Sequence, residues 1–343
     1  MNPALKPALD KLLQRHDLEL DIVQTAFSAI MDGECEGVEI AALLTALAVK
    51  GESETEIAGA AQAMRARACR IPTSRTGLLD TCGTGGDGLS TFNISTATAL
   101  VAAAAGVPVA KHGNRKASSS SGSADVLEAL GVNIELSAEQ AAVCLEKIDI
   151  CFCYARLLHG AMKHVAGVRS QLGIRTIFNF LGPLTNPAQA EFQLLGANRI
   201  ATAKKLAGAA SKLEIGRVLV VCGNDQLDEV SLWGDVTVFD VRPGQVEQSV
   251  WTTTDFGLPA CTPEELVVHS AEESANVIRR LLAGGPGPAR NMVVANTAAA
   301  LLCAGVVEKI RDGVELAEAT IDSGKAQEKL KNLAQLTQQI AAG

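Results

Sequence analysis

Asp80-Thr-Cys-Gly-Thr-Gly-Gly-Asp-Gly88 follows a short apolar run at 78–80 and precedes Thr91-Phe-Asn-Ile-Ser-Thr96, which reads as the start of a helix. A glycine-rich turn between strand and helix can present successive backbone N–H groups to an anion, and the helix N-terminus adds its positive dipole end. The stretch therefore predicts an anion cradle on an α/β scaffold. Gly83, Gly85 and Gly88 satisfy GxGxxG, but a dinucleotide site also needs an acid about 20 residues further on. After Asp87 the first acid is Asp125, and no GxxxxGK[ST] occurs, so the dinucleotide and P-loop readings both fail. Glycine this dense costs backbone entropy that a ligand-free turn would not require.

On either side of this stretch the texture of the chain differs. From residue 7 to about 68 apolar residues recur at helical spacing, as in Ile22, Ala26, Phe27 and Ile30, and again in Ile40, Leu43, Leu44 and Leu47. This predicts about four short helices. A Pro-Ser-Arg-Thr-Gly-containing stretch at 72–77 interrupts the pattern, and an α/β domain begins near Gly77. Its predicted strands are 78–80, 107–111, 148–154, 192–196, 217–222, 236–241 and 267–269, at separations that fit parallel crossovers through helices. Residues 160–184 have a helical pattern ending at Gly182-Pro183, and the chain from 270 onward reads as helical again.

Three further clusters carry chemistry. Lys111-His-Gly-Asn-Arg115 and Ser118-Ser-Ser-Ser-Gly-Ser123 follow the second strand, with no carboxylate between Gly88 and Ala124. Ligands of open α/β sheets collect at the carboxyl ends of strands, so this loop should face the first one and suit phosphate or diphosphate. Asp228-Glu229 lies just beyond the strand at 217–222, and paired carboxylates beside an anion site suit Mg²⁺. His159, Lys163 and Arg169 are spaced to share a partly cationic helix face, on which Arg can clamp a carboxylate.

Composition narrows the classes. The 343 residues carry 30 Lys+Arg against 38 Asp+Glu, a formal charge of −8, which disfavours a nucleic-acid binder that tracks phosphates. With 48% apolar and only 3% aromatic residues, the core must be built from small aliphatic side chains, as α/β layers are. Nine scattered cysteines without a CxxC indicate a reducing compartment, the cytoplasm, and Cys151 and Cys153 should point to one face of a strand. The first residues carry no apolar signal core, and the long uncharged stretch at 88–110 holds too many hydroxyls to be a membrane span.

Taken together, Gly83-Thr-Gly-Gly-Asp87, Thr91-Phe-Asn-Ile-Ser-Thr96, Lys111-His-Gly-Asn-Arg115, Ser121-Gly-Ser-Ala-Asp125, Arg175-Thr-Ile-Phe-Asn179, Leu181-Gly-Pro-Leu184, Asn186-Pro-Ala188 and Leu227-Asp-Glu229 resemble the anthranilate phosphoribosyltransferases, of the nucleoside phosphorylase-like class. The resemblance covers nearly the whole chain. It implies a small all-helical domain, residues 1–72 with about 164–187, and a large α/β domain with a mainly parallel sheet, residues 73–163 with 188–343. It also implies a homodimer formed through helices, and transfer of a phosphoribosyl group from phosphoribosyl diphosphate to anthranilate in tryptophan biosynthesis, without nucleic-acid or membrane partners. By motif correspondence Gly83, Gly86, Asp87, Thr91, Asn93, Ser95, Thr96, Lys111, Ser119 and Ser123 would bind the donor. Gly83, Asn114, His159 and Arg169 would receive anthranilate, and Ser95, Asp228 and Glu229 would hold Mg²⁺. The chain departs from the family pattern at Arg156 and Gly167, where Pro is usual, and at Cys222 and Gln226 before the acidic pair. Transfer to another aromatic amine, a pyrimidine-nucleoside phosphorylase and a non-catalytic nucleic-acid-binding relative are the alternatives that the resemblance leaves.

Overall fold

The computed structural model describes residues 1–115 and 122–342; Ser119 of the expected donor site lies outside them. Four helices open the chain: α1 (Lys6–Leu12), α2 (Leu20–Met31), α3 (Gly37–Lys50) and α4 (Glu54–Arg65). Then follow β1 (Leu79–Gly83), α5 (Ile94–Ala104), β2 (Val109–Gly113), α6 (Ser123–Ala129), α7 (Ala138–Ile148), β3 (Ile150–Tyr154), α8 (Ala155–Leu158), α9 (Lys163–Leu172), α10 (Phe178–Leu181), β4 (Phe192–Gly196), α11 (Ile200–Ala210) and β5 (Arg217–Gly223). The chain closes with β6 (Val236–Arg242), β7 (Gln245–Trp251), α12 (Thr253–Phe256), α13 (Ala271–Leu282), α14 (Pro288–Cys303), α15 (Ile310–Asp322) and α16 (Lys325–Ala342).

The sheet has the order β3-β2-β1-β4-β5-β6-β7, parallel from β3 to β5. The inner strands β4 and β5 are buried on both faces, which is why they read as apolar runs without alternation. One face packs on α5, α13, α14, α15 and α16. The opposite face, through Leu195, Val218, Val220 and Phe239, shares a core with α11 and the opening helices, so the helical layer and the sheet are joined by continuous apolar packing. Val165, Ile177, Phe178 and Leu181 enter that same core and bring the segment from α9 to α10 back against the N-terminal helices. At the start of α4, Glu56 closes a capping box with Ser53 and also accepts from Leu18 N–H at 3.0 Å and Lys50 Nζ at 2.9 Å, which ties α4 to the end of α3 and to the segment before α2.

Two sequence expectations need correction. The strands are not all parallel: β6 pairs antiparallel with β5, and β7, which the pattern missed, pairs antiparallel with β6 through a Pro243-Gly244 turn with Gly244 at φ 73°. Gln245–Trp251 is an exposed edge strand of mainly polar residues, so burial leaves no signature in it. Conversely, 267–269 is not a strand. Val267 forms a single bridge to Thr91, while Leu266 O and Val268 N bond to Phe92 N and Ser90 O, so this segment fastens the loop before α5. Cys151 and Cys153 do share a face, with sulfurs 3.8 Å apart. No helix among the described residues is long and apolar enough to cross a membrane.

Candidate active site

The ends of β1 and β2 and the loop after β5 converge on one edge of the sheet, where α/β ligands bind. They line a cavity of about 290 Å³ that includes Gly83, Gly86, Asp87, Thr91, Asn93, Ser95, Lys111, Asn114, Ser123, Asp228 and Glu229. The turn is made of glycine for a conformational reason: Gly85, Gly86 and Gly88 have φ of 68°, 75° and 76°, where a side chain is strained. Asn93 caps α5, its side chain accepting from Thr96 N–H at 3.0 Å. Thr96 itself is placed differently from the sequence expectation. It lies a turn inward, is 1% exposed and does not line the cavity.

The acidic pair approaches so closely that only glycine fits beneath it. A Cβ on Gly83 would lie 2.2 Å from Asp228 Oδ2, and one on Gly196 would lie 1.6 Å from the Asp228 carbonyl oxygen. Asp228 Oδ2 accepts the Gly85 N–H at 2.6 Å, which joins the acid directly to the glycine turn. Burial, reinforced by Asp87, pushes the Asp228 carboxyl up to about 7. Burial and the neighbouring Asp228 push Glu229 well above the usual carboxylate range. These acids crowd one another without enough compensating charge, and a cation would relieve that strain.

The cations in the anion loop are also committed to protein groups. Lys111 is 3% exposed, and its ammonium donates to Thr81 O at 2.5 Å and Ser95 Oγ at 3.1 Å, so it acts on the cavity from below. Burial lowers its pKa, opposed chiefly by Asp80. Arg115 lines the cavity with its guanidinium engaged by Glu128 at 2.8 Å and Tyr154 Oη at 3.1 Å. Among the residues that sequence reasoning missed is Asn198, which donates to the carbonyls of Gly85 and Gly86 at 3.2 and 2.8 Å and braces the turn. Its place two residues after β4, at the ligand-binding edge, was the available signal.

A second cavity, of about 690 Å³, adjoins the first and shares Gly83, His112 and Asn114 with it. Arg156, Lys163 and Arg169 line it, and no carboxylate does among the described residues. Arg169 is half-buried with its guanidinium 5.1 Å above the Phe178 ring, and it has no ion-pair partner among the described residues. His159 is not part of a cationic helix face. It sits in the turn after α8, 6% exposed, with Nε2 3.2 Å from Nε2 of His112, one donating to the other. Burial depresses His112 to about 3 and His159 to about 4, so both rings are neutral at pH 7.

An anion cradle with an acidic pair thus opens onto a cationic chamber between an α/β layer and a helical layer, a layout in keeping with a two-domain transferase. Models of the glycosyl transferase family match the chain twice, the helical bundle domain at residues 6–68 and the a/b domain at 75–327. Anthranilate phosphoribosyltransferase of Acetivibrio thermocellus is 48% identical over 333 residues, 97% of this chain and 96% of that one. The solved enzyme of Thermus thermophilus superposes with a TM-score of 0.90 at 42% identity, covering 96% of this chain and 99% of its own. The Saccharomyces cerevisiae enzyme, solved in complex with PRPP and Mg, superposes with a TM-score of 0.90 at 27% identity over 99% of both chains. The chain belongs to the anthranilate phosphoribosyltransferase family.

The raised Asp228 pKa has a consequence for stability. In the ligand-free protein the folded state holds a proton that the unfolded state gives up near pH 4, so stability falls as pH rises from about 4 to about 7. Asp228→Asn is expected to raise the melting temperature of ligand-free protein at pH 8, with the gain shrinking toward pH 4. A variant that melts lower at pH 8, or a gain independent of pH, would contradict this account of the acidic cluster.

Proposed function

We propose that the chain transfers the 5-phosphoribosyl group of phosphoribosyl diphosphate to the amine of anthranilate, releasing diphosphate. The observation that carries this reading is the meeting of two cavities of different chemistry at Gly83, His112 and Asn114. The glycine turn, Asp87, Thr91, Asn93, Ser95, Lys111 and Ser123 would hold the donor. Arg169, half-buried and without an acid partner among the described residues, would clamp the anthranilate carboxylate, with Asn114 and His159 beside it.

The residues at the acidic pair fit Mg²⁺: hard oxygens only, with Asp228 and Glu229 both driven toward protonation by burial and mutual repulsion. Ser95, Asp228 and Glu229 would hold the ion, which would supply positive charge to the departing diphosphate. In the transfer the C1–O bond breaks, a C1–N bond forms with inversion, and the amine then loses one proton. Lys111 and the N–H groups of the glycine turn stabilise charge on the leaving diphosphate. An arylamine attacks an oxocarbenium-like centre without prior deprotonation. The neutral His112–His159 pair at the throat is available to take its proton afterwards. Closure of the helical domain, residues 1–72 with about 164–187, on the α/β domain, residues 73–163 with 188–343, would keep water from the donor.

Homodimerisation would use the exposed face of α1 and α3. Leu13, Val38 and Val49 are 77%, 77% and 72% exposed there, around an apolar cleft of about 550 Å³. The composition, reducing cysteines and −8 charge support a cytoplasmic enzyme without nucleic-acid partners.

Three measurements check these readings. Anthranilate fluorescence should fall when protein, phosphoribosyl diphosphate and Mg²⁺ are mixed, and EDTA should stop it. Arg169→Ala should raise the anthranilate KM about thirtyfold or more, as expected for losing about 2 kcal/mol from a charged hydrogen bond, and leave donor affinity unchanged. An unchanged KM removes Arg169 from the acceptor site. Val38→Glu should convert the species seen by light scattering to a monomer; an unchanged mass excludes this face as the dimer contact.

A further inference from the structure

β1 and β2 pair at only one register position, Leu79 opposite Val109, whereas β2–β3 and β1–β4 stay in register to the strand ends, at Gly113 opposite Tyr154 and Gly83 opposite Gly196. Were the β1–β2 ladder to continue, Thr81 N–H would donate to Ala110 O and His112 N–H to Thr81 O. Side chains have taken over these positions. Ala110 O accepts from Asn186 Nδ2 at 2.7 Å, Thr81 O from Lys111 Nζ at 2.5 Å, and His112 N–H donates to Asp80 Oδ1 at 2.9 Å. The two strands therefore part before their carboxyl ends, and the buried main-chain groups along the opening are satisfied by Asp80, Lys111 and Asn186. Asp80 is 0% exposed and Asn186 7%. Asp80 Oδ2 also lies 3.5 Å from Gln193 Nε2, whose amide donates to Pro183 O at 2.5 Å in the wall of the second cavity.

The donor and acceptor cavities share Cys82, Gly83, Thr84, His112, Gly113 and Asn114, all of them at the mouth of this opening. A regular ladder would draw Gly113 and Asn114 toward the glycine turn and close the passage. We infer that Asp80, together with Asn186, is a positioning residue that fixes the width of the passage between the two cavities, wide enough for an amine to meet the donor carbon and no wider, which limits the water that reaches it. The inference rests on the proposed transfer. It concerns neither the donor's phosphates nor the acceptor's carboxylate.

The test uses two full-length variants. Asp80→Asn keeps the size of the side chain and one acceptor oxygen but turns an amide toward the Gln193 amide. Asn186→Leu removes the bond to Ala110 O. Steady-state kcat and both KM values are measured, together with diphosphate released from phosphoribosyl diphosphate and Mg²⁺ in the absence of any acceptor. In both variants kcat should fall about tenfold or more with the donor KM held within about twofold, because small misplacements at a reacting centre cost rate and not distant binding. Acceptor-independent diphosphate release should rise relative to wild type. If activity falls only in step with the folded fraction, and acceptor-independent release does not rise, Asp80 is merely structural and the inference is overturned. Unchanged kcat overturns it too. If wild type fails to consume anthranilate, the acceptor assignment fails, while the variant-to-wild-type ratio of acceptor-free release still decides the role of the opening.

Discussion

The structure depends on one close approach: the main chain of Asp228 lies directly on Gly196 and its carboxylate lies on Gly83, with no room for a Cβ at either position. This contact sets the loop after β5 against the ends of β4 and β1. It puts two acids within reach of a turn whose N–H groups favour anions. Opposite demands then meet in one cavity. The N–H groups and Lys111 attract negative charge, while Asp228 and Glu229, pushed toward their neutral forms by burial, ask for a cation. A metal-bound diphosphate satisfies both demands together, and neither half of the cavity is electrostatically content alone.

Function also needs the sheet to fail locally. Parallel strands held to their ends would leave the two cavities separate, and the departure of β2 from β1 after one register pair is what lets them touch. Main-chain groups left inside such an opening need partners, and the chain supplies them from three strands and a turn: Asp80, Lys111, Gln193 and Asn186. Lys111 thus serves two ends at once. It stitches β1 to β2 through Thr81 O and carries its charge beneath Ser95 and the acidic pair.

The parts legible in the sequence are those whose cause is local. A dense glycine turn, a helix start at 91–96 and two adjacent acids after an apolar run each carry their physics within a few residues, and the donor cavity is lined by them. Asn186 and Gln193 were not legible as partners of Ala110 and Asp80, because what they do depends on where β1 and β2 stop pairing, and no periodicity records that. The loop 111–115 reads as an anion site with two cations, and Arg115 does line the cavity, but its local sequence does not show what engages its guanidinium. Glu128 in α6 holds it, an interaction 13 residues away in sequence. The strand Gln245–Trp251 was missed for a complementary reason: at the exposed edge, hydrogen bonding defines the strand and hydrophobicity does not.

The central claim is that the glycine-enforced approach of Asp228 builds the donor site, and a calorimetric titration of Gly196→Ala with phosphoribosyl diphosphate and Mg²⁺ tests it most directly. A methyl group there must push the Asp228 carbonyl away from β4. The account predicts a protein that still melts cooperatively and has lost metal-dependent donor binding. Donor affinity equal to that of wild type in a folded Gly196→Ala protein would contradict it.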